Sequence, residues 1–453
     1  MKDFPINETI KQFATNFYEN GYKLYIVGGA VRDYLLNIKN DDFDFTTDAT
    51  PENVIKMFKK TIPTGLKHGT VTVLFKGEAF EVTTFRSEGD YEDGRHPSSV
   101  SFVRNLEEDL KRRDFSINAL AADARSGEII DLHDGLGDLK RKTIRAIGNP
   151  NERFHEDGLR IMRACRFVSK LDFSIEDKTF KAMIENKGKI KSVSEERIRE
   201  ELYKLLKGKS PKKALNLLYN CGLMNLVLPE VSNLKGVIQG GHHTEDVFDH
   251  TLNTVAAANK LNYPLNVRIA ALFHDCGKKD TQRLDPTRGT DSFSFFQHEN
   301  IGAKICEKAL RRLKDSNGSI KDVTNLVQNH MFQYTPSWSD GAVRRFINRV
   351  GRQSINDLFC LRMCDIYAIS GTASWTHVEE LDNRVKDILK EGDCLSVKDL
   401  ELNGKDLMDL SIPRGPLFSQ ILNYLLEAVL DDPKQNNKEQ LKIIARNFFE
   451  TIK

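Results

Sequence analysis

In this 453-residue sequence, the residues that most directly suggest a catalytic site are two aspartates separated by one residue, Asp42 and Asp44 in the segment DDFDF. On a strand, side chains at positions i and i+2 leave the same face, so the two carboxylates would lie together. Such a pair can bind Mg²⁺, which prefers oxygen ligands and shares its coordination shell with phosphates. The spacing alone is equally typical of a solvated strand edge, but metal held here would support in-line nucleotidyl or phosphoryl transfer.

A glycine pair and a helix precede these aspartates. Gly28 and Gly29 end a strand-like run, where backbone amides beside a helix N-terminus can approach a triphosphate. We predict that Gly28, Gly29 and Arg32 of the following helix bind nucleotide. Glu81, on a later strand, is a further candidate metal ligand, although a surface glutamate is an equally good interpretation.

A second group of charged residues lies in RFHEDGLRIMRACRF, residues 153–167, which we predict to be one helix. Asp157, Arg160 and Arg163 are spaced by three and would share a face. Cytosine and adenine both place an amine donor beside a ring-nitrogen acceptor, so an aspartate and an arginine can pair with either base. An intrahelical salt bridge is the commoner meaning of this spacing, so the residues alone leave both interpretations open.

Histidines and aspartates of the second half of the chain form a third group: His250, the adjacent His274 and Asp275, and Asp365, with His243, His298 and His330 as further candidates. Mixed imidazole and carboxylate ligands hold Mn, Fe, Ni, Co or Mg and support phosphoester hydrolysis. A lone helical histidine is more often a satisfied core or surface residue.

The elements around these residues predict an α+β protein. Strand-like runs at 23–29, 43–47, 70–75 and 79–85 form a small sheet backed by helices, one of them AVRDYLLNI with Leu35 and Leu36 inward. From about residue 150 the apolar residues follow helical spacing almost throughout. We predict four parts: a head at 1–148, a helical neck at 149–232, a metal-binding domain at 233–385 and C-terminal helices at 386–453.

Composition adds few constraints. The formal net charge of +2 does not indicate whether the protein binds nucleic acid, because a basic groove can be offset by acidic surface elsewhere. The seven cysteines contain no CxxC pair, so neither a disulfide framework nor a thiolate zinc site is indicated. We find no signal peptide and no run of 18 apolar residues, and we expect a cytoplasmic protein without membrane contact.

Motifs in family order resemble those of class II tRNA nucleotidyltransferases, the CCA-adding enzymes and bacterial poly(A) polymerases. They are GGAVRDYLL…DFDFTTDATPE, TFRSEGDYEDGRHPSSVSFV, DLKRRDFSINALA, EDGLR and ELNGKDLMDL. The resemblance implies a head like that of DNA polymerase β, Mg²⁺ at the aspartate pair, CTP and ATP as substrates, and the tRNA 3′ end and acceptor stem as partner.

The resemblance also implies roles for individual residues. It implies that four residues recognise the ribose: Arg112, Arg113, Asp114 and Asn118. Base selection falls on Asp157 and Arg160, supported by Glu156, and the segment 86–102 with Arg86 and Arg95 falls on a loop associated with addition of the final A. Residues 233–370, with HDCGKK, resemble an HD-type phosphohydrolase domain, and on that resemblance His250, His274, Asp275 and Asp365 are the expected metal ligands.

Three interpretations follow. The first is addition of the whole CCA triplet, with hydrolysis at the HD-type site as a second activity. The second adds only A, or makes poly(A) tails. The third, from a different class, is a metal-dependent phosphohydrolase with a vestigial transferase head, which the intact pair Asp42 and Asp44 disfavours.

Overall fold

The computed structural model describes residues 3–40, 42–66, 69–88, 100–103, 105–239, 245–288, 292–371, 376–392 and 395–452. Arg95 and His243 lie outside the described residues. The chain divides into two compact units, Met1–Ser232 and Asn233–Lys453. The finer division into four parts stays a prediction.

The first 148 residues combine a sheet with helices. Their elements are α1 (Glu8–Glu19), β1 (Leu24–Val27), α2 (Gly29–Leu35), β2 (Asp44–Thr47), α3 (Pro51–Met57), β3 (Thr61–Gly65), β4 (Thr70–Phe75), β5 (Glu78–Thr84), β6 (Arg86–Glu88), β7 (Val100–Phe102), α4 (Leu106–Lys111), β8 (Leu120–Asp123), β9 (Ile129–Asp131), α5 (Gly135–Arg141) and β10 (Thr143–Ile144). One mixed sheet has the order β3-β4-β5-β2-β1-β8-β9, with β2 and β5 parallel. The four predicted strands are present. We did not predict β3, β8 and β9, because β3 contains a proline, β8 is alanine-rich and β9 has only three residues.

Aromatic residues fasten α1 to the sheet. Asn7 caps this helix by accepting a hydrogen bond from the Ile10 amide at 2.8 Å. The Phe13 ring lies 5.4 Å from that of Phe45 on β2 and 4.7 Å from that of Phe80 on β5. These buried rings hold the centre of the sheet, where β2 carries Asp44.

Helix α2 corrects one expectation. Leu35 and Leu36 are only half-buried, whereas Arg32 and Asp33 are buried. The two buried side chains are paired, with Arg32 Nη2 lying 2.6 Å from Asp33 Oδ1. This ion pair makes burial of a charged face tolerable, which apolar periodicity does not anticipate.

Residues 150–232 are mainly helical, as predicted. Their elements are α6 (Pro150–Glu156), α7 (Leu159–Leu171), β11 (Ser174–Ile175), α8 (Asp177–Asn186), α9 (Glu195–Leu206), α10 (Pro211–Asn220), α11 (Met224–Val227) and α12 (Pro229–Ser232). The single helix predicted over 153–167 is wrong, because Asp157 has extended backbone and separates α6 from α7. At Gly158, a Cβ atom would lie 2.5 Å from the carbonyl carbon and oxygen of Lys189, so the close approach requires glycine.

The second unit is also mainly helical. Its elements are α13 (Val247–Lys260), α14 (Leu265–Phe273), α15 (Lys278–Thr281), β12 (Arg283–Leu284), β13 (Phe293–Ser294), α16 (His298–Arg312), α17 (Asn317–Asn329), α18 (Asp340–Val350), α19 (Ile355–Ser370), α20 (Thr376–Glu391), α21 (Gly404–Asp409), α22 (Pro416–Asp431) and α23 (Lys438–Thr451). Helix α13 packs against α14 and α19, and α14 packs against α17. Within the described ranges, no helix is long and apolar enough to cross a bilayer.

Candidate functional site

Strand β2 begins at the second aspartate of the predicted pair. Asp44 pairs with Val27, the last residue of β1, after which the chain turns at Gly28 with φ +68°. Asp42 therefore precedes the strand and is not part of it, which corrects the expectation. Its backbone amide instead donates to Asn40 Oδ1 at 2.9 Å.

Three carboxylates crowd the start of β2. Glu81 on β5 is the register partner of Asp44. Burial raises the pKa of Asp44, and the charges of Asp42 and Glu81 raise it further, while Arg113 opposes them. A divalent cation would relieve this repulsion, so the donor set fits a metal that prefers oxygen ligands.

A buried polar network lies next to these carboxylates. Arg163 Nε donates to Asp114 Oδ2 at 2.7 Å, and Asn118 Nδ2 donates to Asp114 Oδ1 at 3.0 Å. Arg32 Nη1 donates to Asn118 Oδ1 at 2.5 Å. Burial alone would raise the pKa of Asp114, but the ion pair with Arg163 and these hydrogen bonds lower it to about 2. The carboxylate is thus ionised and fixed in place.

Asp109 organises the two arginines of the predicted ribose motif, a role that we did not assign from the sequence. Its fully buried carboxylate lies 2.8 Å from Arg112 Nη2 and 3.4 Å from Arg113 Nη2. Asp109 lies on α4 and the two arginines follow it at i+3 and i+4, a spacing that pairs side chains on a helix, but we did not predict a helix here.

Asp157 and Arg160 lie at the break between α6 and α7. Asp157 Oδ1 accepts from the Leu159 amide at 2.9 Å, and its Oδ2 accepts from Arg197 Nη2 at 2.7 Å. Arg160 Nη1 lies 2.5 Å from Glu156 Oε2, and its Nη2 donates to the Arg112 carbonyl at 3.1 Å. Arg197 on α9, which we did not predict as a site residue, therefore holds Asp157.

One cleft of about 800 Å³ collects most of the predicted residues of the first unit. Those that line it are Gly28, Gly29, Arg32, Asp44, Arg112, Arg113, Asp114, Asn118, Asp157, Arg160 and Arg163, and Arg86 of the predicted loop joins them. Asp42, Glu81 and Glu156 are not in its lining.

The charge of the cleft is strongly unbalanced. Eleven arginines and lysines line it against three aspartates, and the cations missing from our prediction are Arg166, Lys170, Arg197, Lys204 and Lys207. Burial, and then the charge of Arg163, lower the pKa of Arg166 to about 10. Such mutual repulsion favours a polyanionic ligand in the cleft.

The second unit brings its predicted histidines and aspartates together. His250 lies on α13, His274 and Asp275 directly follow α14, His298 begins α16, His330 follows α17, and Asp365 lies on α19. His250, His274 and Asp275 form one group of suitable ligand atoms within 4.8 Å, and Asp275, His298 and His330 form another. Asp365 Oδ1 lies 3.0 Å from His250 Nε2.

The hydrogen bonds of the imidazoles orient their Nε2 atoms toward one another. The Nδ1 atoms of His274, His298 and His330 lie 2.9, 2.9 and 2.7 Å from backbone carbonyls, to which they can only donate. In a neutral ring this leaves the lone pair on Nε2, and the Nε2 atoms of His298 and His330 face each other at 3.3 Å. Burial, and then the charge of His274, lower the pKa of His330 to about 3, so this ring is neutral. Facing lone pairs fit a shared cation.

Asp275 joins the two groups. Its Oδ2 lies 3.2 Å from His274 Nε2, and its Oδ1 lies 3.4 Å from His298 Nε2. Among the described residues the buried Oδ2 accepts no hydrogen bond of good geometry, although Lys278 Nζ lies 2.8 Å away. A buried carboxylate oxygen without an ordinary donor also fits a metal ligand.

Family models match three stretches of this chain. The Poly A polymerase head domain matches residues 24–145, the probable RNA and SrmB-binding site of polymerase A matches 172–235, and the HD domain matches 247–369.

Curated proteins and a solved structure are similar to this chain over its whole length or over about half of it. The CCA-adding enzyme of Ligilactobacillus salivarius is 36% identical over 99% of this chain and 96% of that relative. The CCA-adding enzyme of Lactobacillus delbrueckii subsp. bulgaricus is 55% identical over 205 residues, which span 45% of this chain and only 52% of that relative. The crystal structure of the Bacillus stearothermophilus CCA-adding enzyme in complex with CTP has a TM-score of 0.75 and 31% identity, and covers 100% of this chain and 99% of that one. This chain belongs to the family of the CCA-adding enzymes.

Proposed function

We propose that this protein adds CCA to the 3′ end of tRNA, using CTP and ATP and no nucleic-acid template. One observation carries the proposal: Asp44 and the pair Asp157 and Arg160 line the same basic cleft. The carboxylate suited to nucleotidyl transfer and the two side chains suited to reading a base therefore line one cleft. A vestigial transferase head would not need to keep both.

The reaction joins the tRNA 3′-hydroxyl oxygen to the α-phosphorus of the nucleotide and releases pyrophosphate. Asp42 and Asp44, with Glu81 beside them, would hold Mg²⁺, which supplies charge stabilisation and an activated hydroxyl when bound. Arg112 and Arg113, held by Asp109, bind the triphosphate or the ribose from one side of the cleft. Asp114 and Asn118, fixed by Arg163 and Arg32, position the ribose.

Base choice follows from the donors and acceptors of Asp157 and Arg160. Asp157 accepts from the exocyclic amine of cytosine or adenine, and Arg160 donates to the adjacent ring nitrogen. Uracil and guanine present a carbonyl and a ring N–H in those places, so both protein groups would be left mispaired in a partly buried site. Glu156 and Arg197 keep the two side chains in position.

The test uses tRNA that lacks CCA, with CTP and ATP supplied singly and together, and sequencing of the 3′ ends. We expect CC from CTP alone and CCA from both. Addition of A only, and only to tRNA already ending in CC, would contradict the proposal in favour of the A-adding alternative. Asp44→Asn should abolish incorporation, whereas Asp3→Asn, which changes an exposed aspartate of the same unit, should not.

A second activity is favoured by the two ligand groups of the second unit. We propose that His250, His274, Asp275 and Asp365, together with His298 and His330, hold divalent metal and hydrolyse phosphoesters. A metal there would supply a nucleophilic hydroxide at neutral pH. The side chains supply imidazoles, and Nδ1 hydrogen bonds to backbone carbonyls fix the ring orientation of His274 and His330.

Hydrolysis of a 2′,3′-cyclic phosphate with Ni²⁺, Mn²⁺, Co²⁺ or Mg²⁺ tests this second activity. His274→Ala should lose both hydrolysis and bound metal, while His377→Ala, at an exposed position of the same unit, should keep both. Full metal content in His274→Ala would show that the ligand assignment is wrong.

A further inference from the structure

Gln239 is a buried amide that the functions proposed above leave without a role. Its side chain is 95% buried, since its relative exposure is 5%. Its Oε1 lies 2.6 Å from Lys278 Nζ, and Lys278 Nζ lies 2.8 Å from Asp275 Oδ2. A short chain of contacts thus connects Gln239 to the carboxylate shared by the two ligand groups.

The lysine determines which way the amide faces. An ammonium group only donates hydrogen bonds, so the atom of Gln239 next to Lys278 must be the carbonyl oxygen. The amide nitrogen, Nε2, is then directed elsewhere, and it has no hydrogen-bond partner among the described residues. A buried donor without a partner costs about 1–3 kcal/mol, which a ligand that accepts hydrogen bonds would recover.

We propose that Gln239 and Lys278 together bind a phosphoryl oxygen of the substrate hydrolysed in the second unit. This inference rests on the proposed phosphohydrolase function. Gln239 offers two N–H donors, and the Lys278 ammonium, which forms an ion pair with Asp275, has two N–H groups besides the one donated to Gln239. The pair thus presents donors only, and phosphoryl oxygens are acceptors only. A positive charge beside a neutral amide suits an anion better than an uncharged group.

Neighbouring contacts fix this pair in place. Gln282 Nε2 donates to the Ile238 carbonyl at 3.0 Å, which holds the backbone directly before Gln239. Lys278 Nζ lies 5.5 Å from the centre of the Phe295 ring, a cation–π distance. The donors are therefore preorganised, and little ordering is needed when a phosphoryl group binds.

Inorganic phosphate is the probe for this inference. Its affinity for the full-length protein is measured by calorimetry, in EDTA and with Mn²⁺, beside metal content by mass spectrometry. Gln239→Leu should weaken phosphate binding about tenfold or more and leave metal content unchanged. Gln239→Glu, which keeps an oxygen for Lys278 but replaces the donor by a negative charge, should weaken it further. Gln420→Leu and Gln420→Glu, at an exposed position of α22, should bind as the unaltered protein does.

Wild-type phosphate affinity in Gln239→Leu would overturn the inference. If Gln239→Leu loses its metal, the result for Gln239→Glu decides, because the glutamate keeps the contact with Lys278. Unchanged phosphate affinity in Gln239→Glu overturns the inference, and weaker phosphate affinity supports it. The EDTA measurement separates the two proposals. If the unaltered protein neither retains metal nor hydrolyses phosphoesters, the phosphohydrolase function fails, while phosphate binding that depends on Gln239 still supports the binding pair. Comparison of 3′-CMP with an RNA pentamer ending in 3′-phosphate then tells whether a free nucleotide or an RNA end supplies the phosphoryl group.

Discussion

Both carboxylate oxygens of Asp157 accept hydrogen bonds from this chain, from the Leu159 amide and from Arg197. Donors on both oxygens prevent the carboxylate from turning. A base that approaches it therefore meets an acceptor. This is the property needed to prefer an exocyclic amine over a carbonyl.

Asp157→Asn should relax base choice more than it slows addition of the correct nucleotide. The amide nitrogen of asparagine cannot accept from both Leu159 and Arg197, so the side chain can turn and offer a donor to uracil or guanine. We expect the preference in kcat/KM for CTP over UTP to fall about tenfold or more, measured by single-nucleotide incorporation. Asp172→Asn, at the exposed end of α7, is the control. An unchanged preference would exclude Asp157 from base reading.

Asp109→Asn should lower the free energy of unfolding by about 1–3 kcal/mol, because it leaves Arg112 and Arg113 without their buried counter-charge. Burial opposes ionisation of Asp109, but the two arginines more than compensate and lower its pKa. A lowered pKa means that this stabilisation is complete above the unfolded value, about 3.9, and is lost as the pH falls through the folded value. Urea unfolding of both proteins at several pH values checks this.

The expected curves are parallel from neutral pH down to about pH 5, and they converge in stronger acid. Glu108→Gln, at an exposed position of α4, should unfold like the unaltered protein throughout. A difference between Asp109→Asn and the unaltered protein that grew in acid would contradict the ion-pair explanation.

At the scale of elements, the break between α6 and α7 places Asp157 outside any helix. Gly158 permits this break by lying against the backbone of Lys189, in the 3₁₀ turn 187–192. In a continuous helix, the backbone of Asp157 would instead form helical hydrogen bonds, and its side chain would lie on a helix face. The geometry of the base-reading residues therefore depends on a packing contact distant in sequence.

Gly158→Ala should destabilise the protein by about 1–3 kcal/mol, as overpacking against rigid backbone does. Thermal unfolding measures the change. Gly188→Ala is a matched control, since a Cβ atom at that glycine, next to Lys189, meets nothing within 4 Å. Equal melting temperatures for the two variants would show that the 3₁₀ turn 187–192 can move to accommodate the added methyl group, and that the contact between Gly158 and Lys189 does not stabilise the protein.

At the scale of the whole molecule, each proposed site is built from one compact unit. The cleft uses residues of Met1–Ser232, and the histidine and aspartate groups use residues of Asn233–Lys453. No ligand of one site is supplied by the other unit among the residues that the structure describes. The two chemistries should therefore be separable by substitution.

Asp44→Ala should lose nucleotide addition and keep metal bound in the second unit. His330→Ala should lose that metal and keep nucleotide addition. Metal content by mass spectrometry and incorporation of labelled CTP measure the two effects in parallel. Loss of both properties in either variant, with an unchanged melting temperature, would indicate that the sites are coupled.

The sequence by itself determined the α+β class, four strands of the sheet and the residue types of both sites, because these follow from local periodicity and from side-chain chemistry. Three features depended on the tertiary structure. Asp42 lies off the strand because β1 ends at Val27, Asp157 lies between two helices because Gly158 packs on Lys189, and Asp275 joins two ligand groups because α14, α16 and α17 converge. Contacts between residues distant in the chain leave no mark in local spacing. For the same physical reason, the roles of Arg197 and Gln239 emerged only once their partners were in place.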